Sequence, residues 1–236
     1  RQEGLKVLAH RPETRLAGGL LVLVLVLWAI AELAERVVGR PPGEFDESIM
    51  FALRRGADHA QLAGPTWIEK LALDLTVLGG VSFATLLVLV VVGFLLVARH
   101  PMRALEVVLS TAGGGAAALL MKEIFERPRP DVVPALYEVT NPSFPSGHAT
   151  VAAVVYLTLA ILIARFVKSR RQRLYVMLIA FLLVVIVGWT RVALGVHYPT
   201  DVLAGWALGL VWSLFSWLLV DYWETAREKP PPALED

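Results

Sequence analysis

The sequence contains no cysteine among its 236 residues, and only 18% of them are charged. The first absence excludes disulfides, thiolate metal sites and cysteine nucleophiles. The second, together with 56% hydrophobic residues and a mean hydropathy of +0.62, excludes an ordinary water-soluble domain. The formal net charge of +1 indicates no nucleic-acid partner. We therefore expect a membrane protein.

The chain also lacks two features of a typical N-terminus. It begins with Arg1 instead of methionine, so we expect it to be part of a longer chain. Its first apolar block is too long for a signal peptide and has no small-residue cleavage pattern after it.

Long apolar segments predict an all-α fold in which six transmembrane helices form a bundle. Each has the ~20 mostly apolar residues that a spanning helix needs. Gly79 and Gly80 predict a bend in the second span, and the small residues 113–118 of the third let another helix approach closely. The short turn before the sixth span predicts that it lies antiparallel to the fifth. The predicted spans cover residues 16–37, 71–98, 104–125, 148–167, 174–194 and 200–222.

The remaining segments are polar. Residues 1–15 are predicted to be an N-terminal cytoplasmic segment, 16–222 the membrane domain, and 223–236 a proline-rich, disordered tail. In the first loop, residues 45–62 predict an amphipathic helix at the membrane interface. The sequence leaves the oligomeric state open.

Basic residues are distributed unevenly between the loops. The N-terminal stretch, the second loop, the fourth loop and the tail together hold 13 of the 22 Lys and Arg residues. Because cytoplasmic loops are enriched in these residues, both termini are predicted to be cytoplasmic. The first, third and fifth loops then face away from the cytoplasm.

A first polar motif lies at the end of the third span. Lys122 is in the last helical turn, and Arg129 lies between Pro128 and Pro130. The prolines end the helix and favour an extended Arg129, so that two cations can hold one anion. An isolated basic residue at this place more often only reaches the membrane interface. The two motifs that follow favour the anion site.

A second motif, Pro145-Ser146-Gly147-His148, opens the fourth span. The start of a helix presents unpaired backbone N–H groups and positive potential, which favours phosphate, and His148 would lie beside that anion. The same residues also make an ordinary helix cap with an interfacial histidine, and this motif alone does not separate the two interpretations.

A third motif spans the turn between the last two spans and contains Arg191, His197 and Asp201. Pro199 can occupy the first helical position, which places His197 just before the helix and Asp201 one turn on. A carboxylate on one imidazole nitrogen raises the basicity of the other, as a histidine nucleophile requires. Ionisable groups at this depth in a membrane are usually functional.

In this order, the three motifs resemble those of the type 2 phosphatidic acid phosphatase family. Its patterns are Lys, six residues, Arg-Pro; Pro-Ser-Gly-His; and Ser-Arg, five residues, His, three residues, Asp. Thr190 replaces the Ser of the last pattern and keeps a hydroxyl. The motifs cover residues 122–201, and the six-span layout matches bacterial members. The resemblance implies a membrane-embedded, metal-independent lipid phosphate phosphatase with a phosphohistidine intermediate and no cofactor.

The working hypothesis gives each motif residue a role in phosphoryl transfer. His197 is the nucleophile, Asp201 holds and polarises it, and His148 is the general acid and base. The predicted phosphate ligands are Lys122, Arg129, Ser146, Gly147 and Arg191.

Two alternatives belong to other functional classes. His148, His197 and Asp201 could form a metal site, although three nearby cations would repel a divalent ion. A proton-coupled transporter is the non-enzyme alternative, suggested by acidic residues within spans, namely Asp74, Glu106 and Glu123. Such a transporter gathers its ionisable groups near mid-membrane, whereas here they cluster at one face.

The expected substrate is a lipid phosphate of the bacterial plasma (inner) membrane, processed on the extracytoplasmic side. Undecaprenyl diphosphate is the first candidate, and phosphatidylglycerophosphate and phosphatidate are the others. Transfer of the phosphoryl group to another lipid acceptor would share the first half-reaction. The sequence does not distinguish monophosphates from diphosphates.

Overall fold

Residues 12–56 and 58–228 are described in the computed structural model, and they are mostly helical. In chain order the elements are α1 (Pro12–Val37), α2 (Glu44–Ala52), β1 (Arg54–Arg55), β2 (Gln61–Leu62), α3 (Trp67–Thr76), a 3-10 turn (Val77–Gly79), α4 (Val81–Val97), α5 (Pro101–Phe125), α6 (Gly147–Phe166), α7 (Arg170–Ala193) and α8 (Pro199–Glu228).

The apolar helices agree with the expected membrane spans. Five of them, α1 and α5 to α8, are long and apolar enough to cross a membrane. A sixth span results if α3 with its 3-10 turn and α4 count as one, because they are bent by 46° at their junction. The predicted bend at Gly79 and Gly80 is therefore confirmed, whereas the count of six depends on treating this bent pair as one span.

Two helix ends differ from the predicted boundaries. The first helix already begins at Pro12, within the predicted N-terminal segment, and α8 continues to Glu228, so the start of the predicted disordered tail is helical. The remainder of both terminal segments, residues 1–11 and 229–236, lies outside the described residues.

The first loop corrects the predicted interfacial helix. The helix ends at Ala52, and an antiparallel hairpin follows in which Arg54 pairs with Leu62. Gly56, which directly follows β1, has a φ of +86°, a conformation that favours glycine. The hairpin is tied to the third loop by Arg54, which donates a 3.0 Å hydrogen bond to the Pro134 carbonyl. The position of α2 at a membrane interface stays a prediction.

Small residues allow the central helices to approach closely. A Cβ atom on Gly205 of α8 would lie 2.7 Å from the Ser146 carbonyl oxygen at the start of α6. In α5, a Cβ on Gly114 would lie 2.6 Å from the Val154 side chain of α6. The predicted close-packing face of the third span is therefore confirmed.

The fifth and sixth predicted spans are neighbours only over part of their length. Trp206 of α8 packs against Gly188 of α7 and donates a 3.2 Å hydrogen bond to the Val184 carbonyl. Elsewhere both helices pack mainly against α6, which lies between them and also contacts α5.

Charged residues differ between the two ends of the bundle. At the end away from the sequence motifs, Asp221 pairs with Arg15 at 3.3 Å and with Arg165 at 3.1 Å. Between the ends, large apolar side chains stay exposed on α1, α4 and α7, as contact with lipid requires. The end that carries the motifs holds a larger group of buried charged residues, among them Asp46, Arg127, Arg191 and Asp201.

Candidate active site

The three motifs meet at one end of the bundle. The last turn of α5, the first turns of α6 and α8 and the last turn of α7 all lie there, because successive helices run in opposite directions. Residues 126–146, which form no helix or strand, cross this end. Seven of the eight predicted site residues lie in these segments, and His197 lies in the turn between α7 and α8.

Arg129 defines the protonation of the His197 ring. Its Nη1 atom lies 3.3 Å from His197 Nε2 and also donates to the Val196 carbonyl. Since a guanidinium only donates, Nε2 is assigned as the nitrogen that carries the lone pair. The proton of the neutral ring is then on Nδ1, and Nε2 carries the lone pair that a nucleophile needs.

Asp201 lies behind His197, as the spacing predicted. Its Oδ2 atom is 3.4 Å from His197 Nδ1, which is longer than a well-formed hydrogen bond and typical of a catalytic pair without substrate. His197 is 2% exposed, and this burial lowers its pKa to about 3 against the opposing effect of Asp201. The imidazole is therefore neutral at physiological pH, as a nucleophile must be.

Lys122 and Arg129 are held by neutral oxygen atoms. Lys122 donates to the carbonyl oxygen of Pro142, and Arg129 donates through Nε to the carbonyl oxygen of Asn141 at 2.9 Å. Burial, followed by the charge of Arg191, lowers the pKa of Arg129 to about 10, so it stays charged at neutral pH. Because these partners are neutral, the positive charge of both residues is left for an anion.

Arg191 is oriented by two residues that the sequence did not suggest. Its Nη1 atom donates a 2.8 Å hydrogen bond to Thr76 Oγ1, at the end of α3. Its guanidinium carbon lies 5.2 Å from the centre of the Tyr137 ring. Arg191 is 1% exposed, so these contacts hold a buried cation toward the site.

Buried polar atoms without a hydrogen-bond partner occur at the start of α6 and in the last turn of α7. Ser146 is fully buried, and within the described part of the chain its hydroxyl forms no hydrogen bond, not even to the helix that it begins. The same is true of Arg191 Nε. A Cβ on Gly147 would lie 3.7 Å from Lys122 Cε, so the helix start faces the first cation. Unpaired buried donors of this kind are typical of a ligand site.

His148 lies on the side of the site formed by the bent second span. Its Nε2 atom is 3.9 Å from the position of a Cβ on Gly80. The positive charges of Arg191, Arg129 and Lys122 act on its ring. The structure thus brings the second histidine into the same cationic environment as the first.

Sequence reasoning missed Arg127, which differs from Arg129 in its partners. Its Nη1 atom donates to Asp201 Oδ1 at 2.6 Å, and its Nη2 atom donates to Asp46 Oδ2 at 3.1 Å. Two carboxylates therefore compensate its charge. The only sequence signal was that Arg127 directly precedes a proline, Pro128, just as Arg129 directly precedes Pro130. Nothing in the sequence pointed to Asp46.

Neither alternative site is assembled. Among residues 12–56 and 58–228, no three His, Asp or Glu side chains converge as ligands of a metal ion, so the predicted alternative of His148, His197 and Asp201 does not form. Of the acidic residues that suggested a transporter, Glu106 is buried against Arg103 at 2.7 Å, far along α5 from the motif end. The others, Asp74 and Glu123, are exposed.

Comparisons with known proteins agree with this arrangement. The PAP2 superfamily matches residues 103–224. The chain is 34% identical over 155 residues to phosphatidylglycerophosphatase B of Bacillus subtilis, covering 64% of this chain and 75% of that protein. An undecaprenyl-diphosphatase of Sulfolobus acidocaldarius is 34% identical over 70 residues, which are 30% of each protein.

The fold is also similar to that of a solved protein. The crystal structure of a transmembrane PAP2 type phosphatidylglycerolphosphate phosphatase from Bacillus subtilis superposes with a TM-score of 0.73 at 29% identity, covering 89% of this chain and 98% of that one. With the family match over more than half of its length, this multi-pass membrane chain belongs to the PAP2 superfamily and is a lipid phosphate hydrolase.

Proposed function

We propose that the protein removes the terminal phosphate of a membrane lipid through a phosphohistidine at His197. One observation carries this proposal: a buried neutral imidazole, backed by Asp201, has its free nitrogen 3.3 Å from a cation that is held by neutral oxygens. Phosphoryl transfer depends mainly on positioning and charge stabilisation, and this geometry supplies both.

The phosphate is held before any bond changes. Lys122, Arg129 and Arg191 contact its non-bridging oxygens, which carry the negative charge. The unpaired Ser146 hydroxyl and the first backbone N–H groups of α6, near Gly147, donate further hydrogen bonds. Three positive charges exceed the two negative charges of a phosphate monoester, so no metal ion is needed in these steps.

In the first step, His197 Nε2 forms a bond to phosphorus while the bond from phosphorus to the lipid oxygen breaks. The electron pair of that bond passes to the lipid oxygen, which takes a proton from His148; the negative charge of the bound phosphate offsets the three cations and lets the ring carry that proton. Asp201 accepts the Nδ1 hydrogen bond and stabilises the positive ring. In the second step, His148 takes a proton from water, whose oxygen displaces His197 and releases inorganic phosphate.

The lipid is a glycerolipid phosphate or an isoprenyl diphosphate. Phosphatidylglycerophosphate is favoured by the Bacillus subtilis relative, which matches over most of its length, and undecaprenyl diphosphate by the shorter match. Phosphatidate completes the panel to be tested. A phosphotransferase would release little phosphate in water unless a lipid acceptor were added.

The site faces the extracytoplasmic side of the bacterial plasma membrane, and both termini are cytoplasmic. The uneven distribution of basic residues supports this orientation. The absence of cysteine allows a direct test, because single cysteines at the exposed Asp58 and Lys168 provide unique labels. In intact cells an impermeant thiol reagent should label Asp58→Cys and not Lys168→Cys, and the reverse pattern would contradict the orientation.

Phosphate release by the purified protein from the lipid panel, with and without EDTA, tests the activity. We expect release in EDTA and an acid-labile phosphoenzyme that disappears in His197→Ala, while that variant still folds and unfolds in a cooperative thermal transition. Activity that is retained in His197→Ala would contradict the nucleophile assignment. Loss in EDTA that a divalent ion restores would contradict the metal-free mechanism.

A further inference from the structure

A buried network of charged side chains lies behind His197 and Asp201. It begins in the first loop. Asp46 of α2 is 1% exposed, and its carboxylate accepts hydrogen bonds from the backbone N–H of Thr200 at 2.9 Å and from the Thr200 hydroxyl at 2.8 Å. Arg127 donates to the same carboxylate at 3.1 Å. Asp46 thus binds the first turn of α8 directly and through a cation.

The other side of Arg127 holds Asp201. The 2.6 Å hydrogen bond from Nη1 occupies Asp201 Oδ1. The second oxygen, Oδ2, accepts from Ser143 Oγ at 2.7 Å and from the Tyr198 backbone N–H at 2.9 Å, and it faces His197. The carboxylate is therefore fixed by three hydrogen-bond donors, and the His197 ring lies 3.4 Å from it. Its orientation toward the ring depends on them.

The three charged residues of this network have a net charge of −1. Asp46, Arg127 and Asp201 carry −1, +1 and −1, so the network keeps one net negative charge next to His197. When the ring bonds to phosphorus it becomes positive, and this negative charge stabilises it. Without the charge of Asp46, Arg127 would neutralise Asp201 and the ring would lose that stabilisation.

We propose that Asp46 and Arg127 are positioning residues, which hold Asp201 in place and preserve its negative charge for the attack by His197. This inference rests on the proposed function, in which His197 is the nucleophile. It assigns a role in the reaction to α2, a helix outside all three sequence motifs. Neither residue needs to touch the substrate.

Two anions separate this role from a merely structural one. The vanadium of orthovanadate can form a bond to an attacking nitrogen, as phosphorus does, whereas sulfate only binds to the cationic side chains. In Asp46→Asn we expect kcat and vanadate affinity to fall about 10- to 100-fold, the size that loss of a group orienting a histidine or carboxylate ligand has in metal sites. Sulfate affinity should stay within about twofold of the wild type.

The matched control is Glu44→Gln, which removes the same charge from an exposed position of the same helix and should change none of these quantities. Asp46→Glu, which keeps the charge, should recover part of the vanadate affinity. If Asp46→Asn does not fold, Arg127→Lys decides, because an ammonium cannot bridge both carboxylates with a planar fork. It should show the same loss for vanadate but not for sulfate.

Unchanged kcat and vanadate affinity in the folded variant would overturn the inference, and so would an equal loss for both anions, which indicates general damage to the site. Both binding measurements are independent of lipid turnover. If the wild type released phosphate from no lipid, the proposed function would fail, while the vanadate and sulfate affinities would still decide the role of Asp46.

Discussion

Replacement of Ser146 by alanine should change stability and activity in opposite directions. The hydroxyl is fully buried and, in the described part of the protein, has no hydrogen-bond partner. A buried polar group left in this state costs about 1–3 kcal/mol of folding free energy. Because the hydroxyl does not cap α6, alanine loses no capping bond in exchange. Ser146→Ala should therefore be as stable as the wild type or more stable.

Activity should fall because the same hydroxyl donates to the phosphate in the proposed mechanism. A hydrogen bond to a charged group contributes about 1.5–3 kcal/mol, which corresponds to a loss of about 10- to 150-fold in kcat/KM. Phosphate release from the preferred lipid measures this loss. Thermal unfolding in the same detergent measures the gain, about 2–4 °C for each kcal/mol in a chain of this size.

Ser213 provides the matched control. It is also buried in the bundle, but its hydroxyl donates to the Gly209 carbonyl at 2.9 Å and to the Val154 carbonyl at 3.2 Å. Twelve residues along α8 from Asp201, it lies about 18 Å from the site. Ser213→Ala should keep full activity and lose about 0.5–1.5 kcal/mol. Full activity in Ser146→Ala would refute the assignment of that hydroxyl to the phosphate.

Three further changes test other parts of the structure. Thr76→Val removes the hydrogen-bond acceptor that orients Arg191 and should lower kcat/KM about tenfold. Thr85→Val, on the exposed face of α4, should leave kcat/KM unchanged. Equal activities of the two variants would contradict the orienting role of Thr76. Because the folded pKa of His197, about 3, lies below its unfolded value of about 6.5, the unfolded state binds more protons between these pH values. As the pH is lowered, the unfolding free energy of the wild type should therefore fall by up to ~1.4 kcal/mol per pH unit more than that of His197→Gln. If the unfolding free energies of the two proteins changed in parallel with pH, the buried neutral ring would be contradicted. Gly209→Ala would place a Cβ 2.5 Å from an α6 side chain and should cost about 1–3 kcal/mol, measured as a lower unfolding temperature.

The membrane helices could be predicted because hydropathy over about 20 residues is a strong signal. Gly79 and Gly80 correctly located the break in the second span, since two glycines leave the backbone free to turn. The hairpin of the first loop could not be predicted. Its strands have two residues each, too few for alternation to show, and one of them is tied through Arg54 to a carbonyl 80 residues away.

The site was predictable where one motif carried both the residue and its spacing. Asp201 lies one helical turn from His197, so their proximity follows from helix geometry. The groups that hold the motif residues were not predictable. Thr76 and Asp46 reach Arg191 and Arg127 from the second span and from the first loop, and only the packing of the bundle brings them together.

Arg127 and Arg129 show why charge compensation, and not residue type, separates a cation that positions other residues from a proposed ligand of the substrate. Both are arginines that precede a proline in the same segment. Arg127 donates to two buried carboxylates, so its charge is already neutralised and a phosphate would gain little from it. Arg129 donates to carbonyl oxygens, which fix the guanidinium without cancelling its charge. The same distinction applies to Lys122, which is held by a carbonyl. In the proposed mechanism, it lets one buried site keep positive charge for an anion and negative charge for a nucleophile.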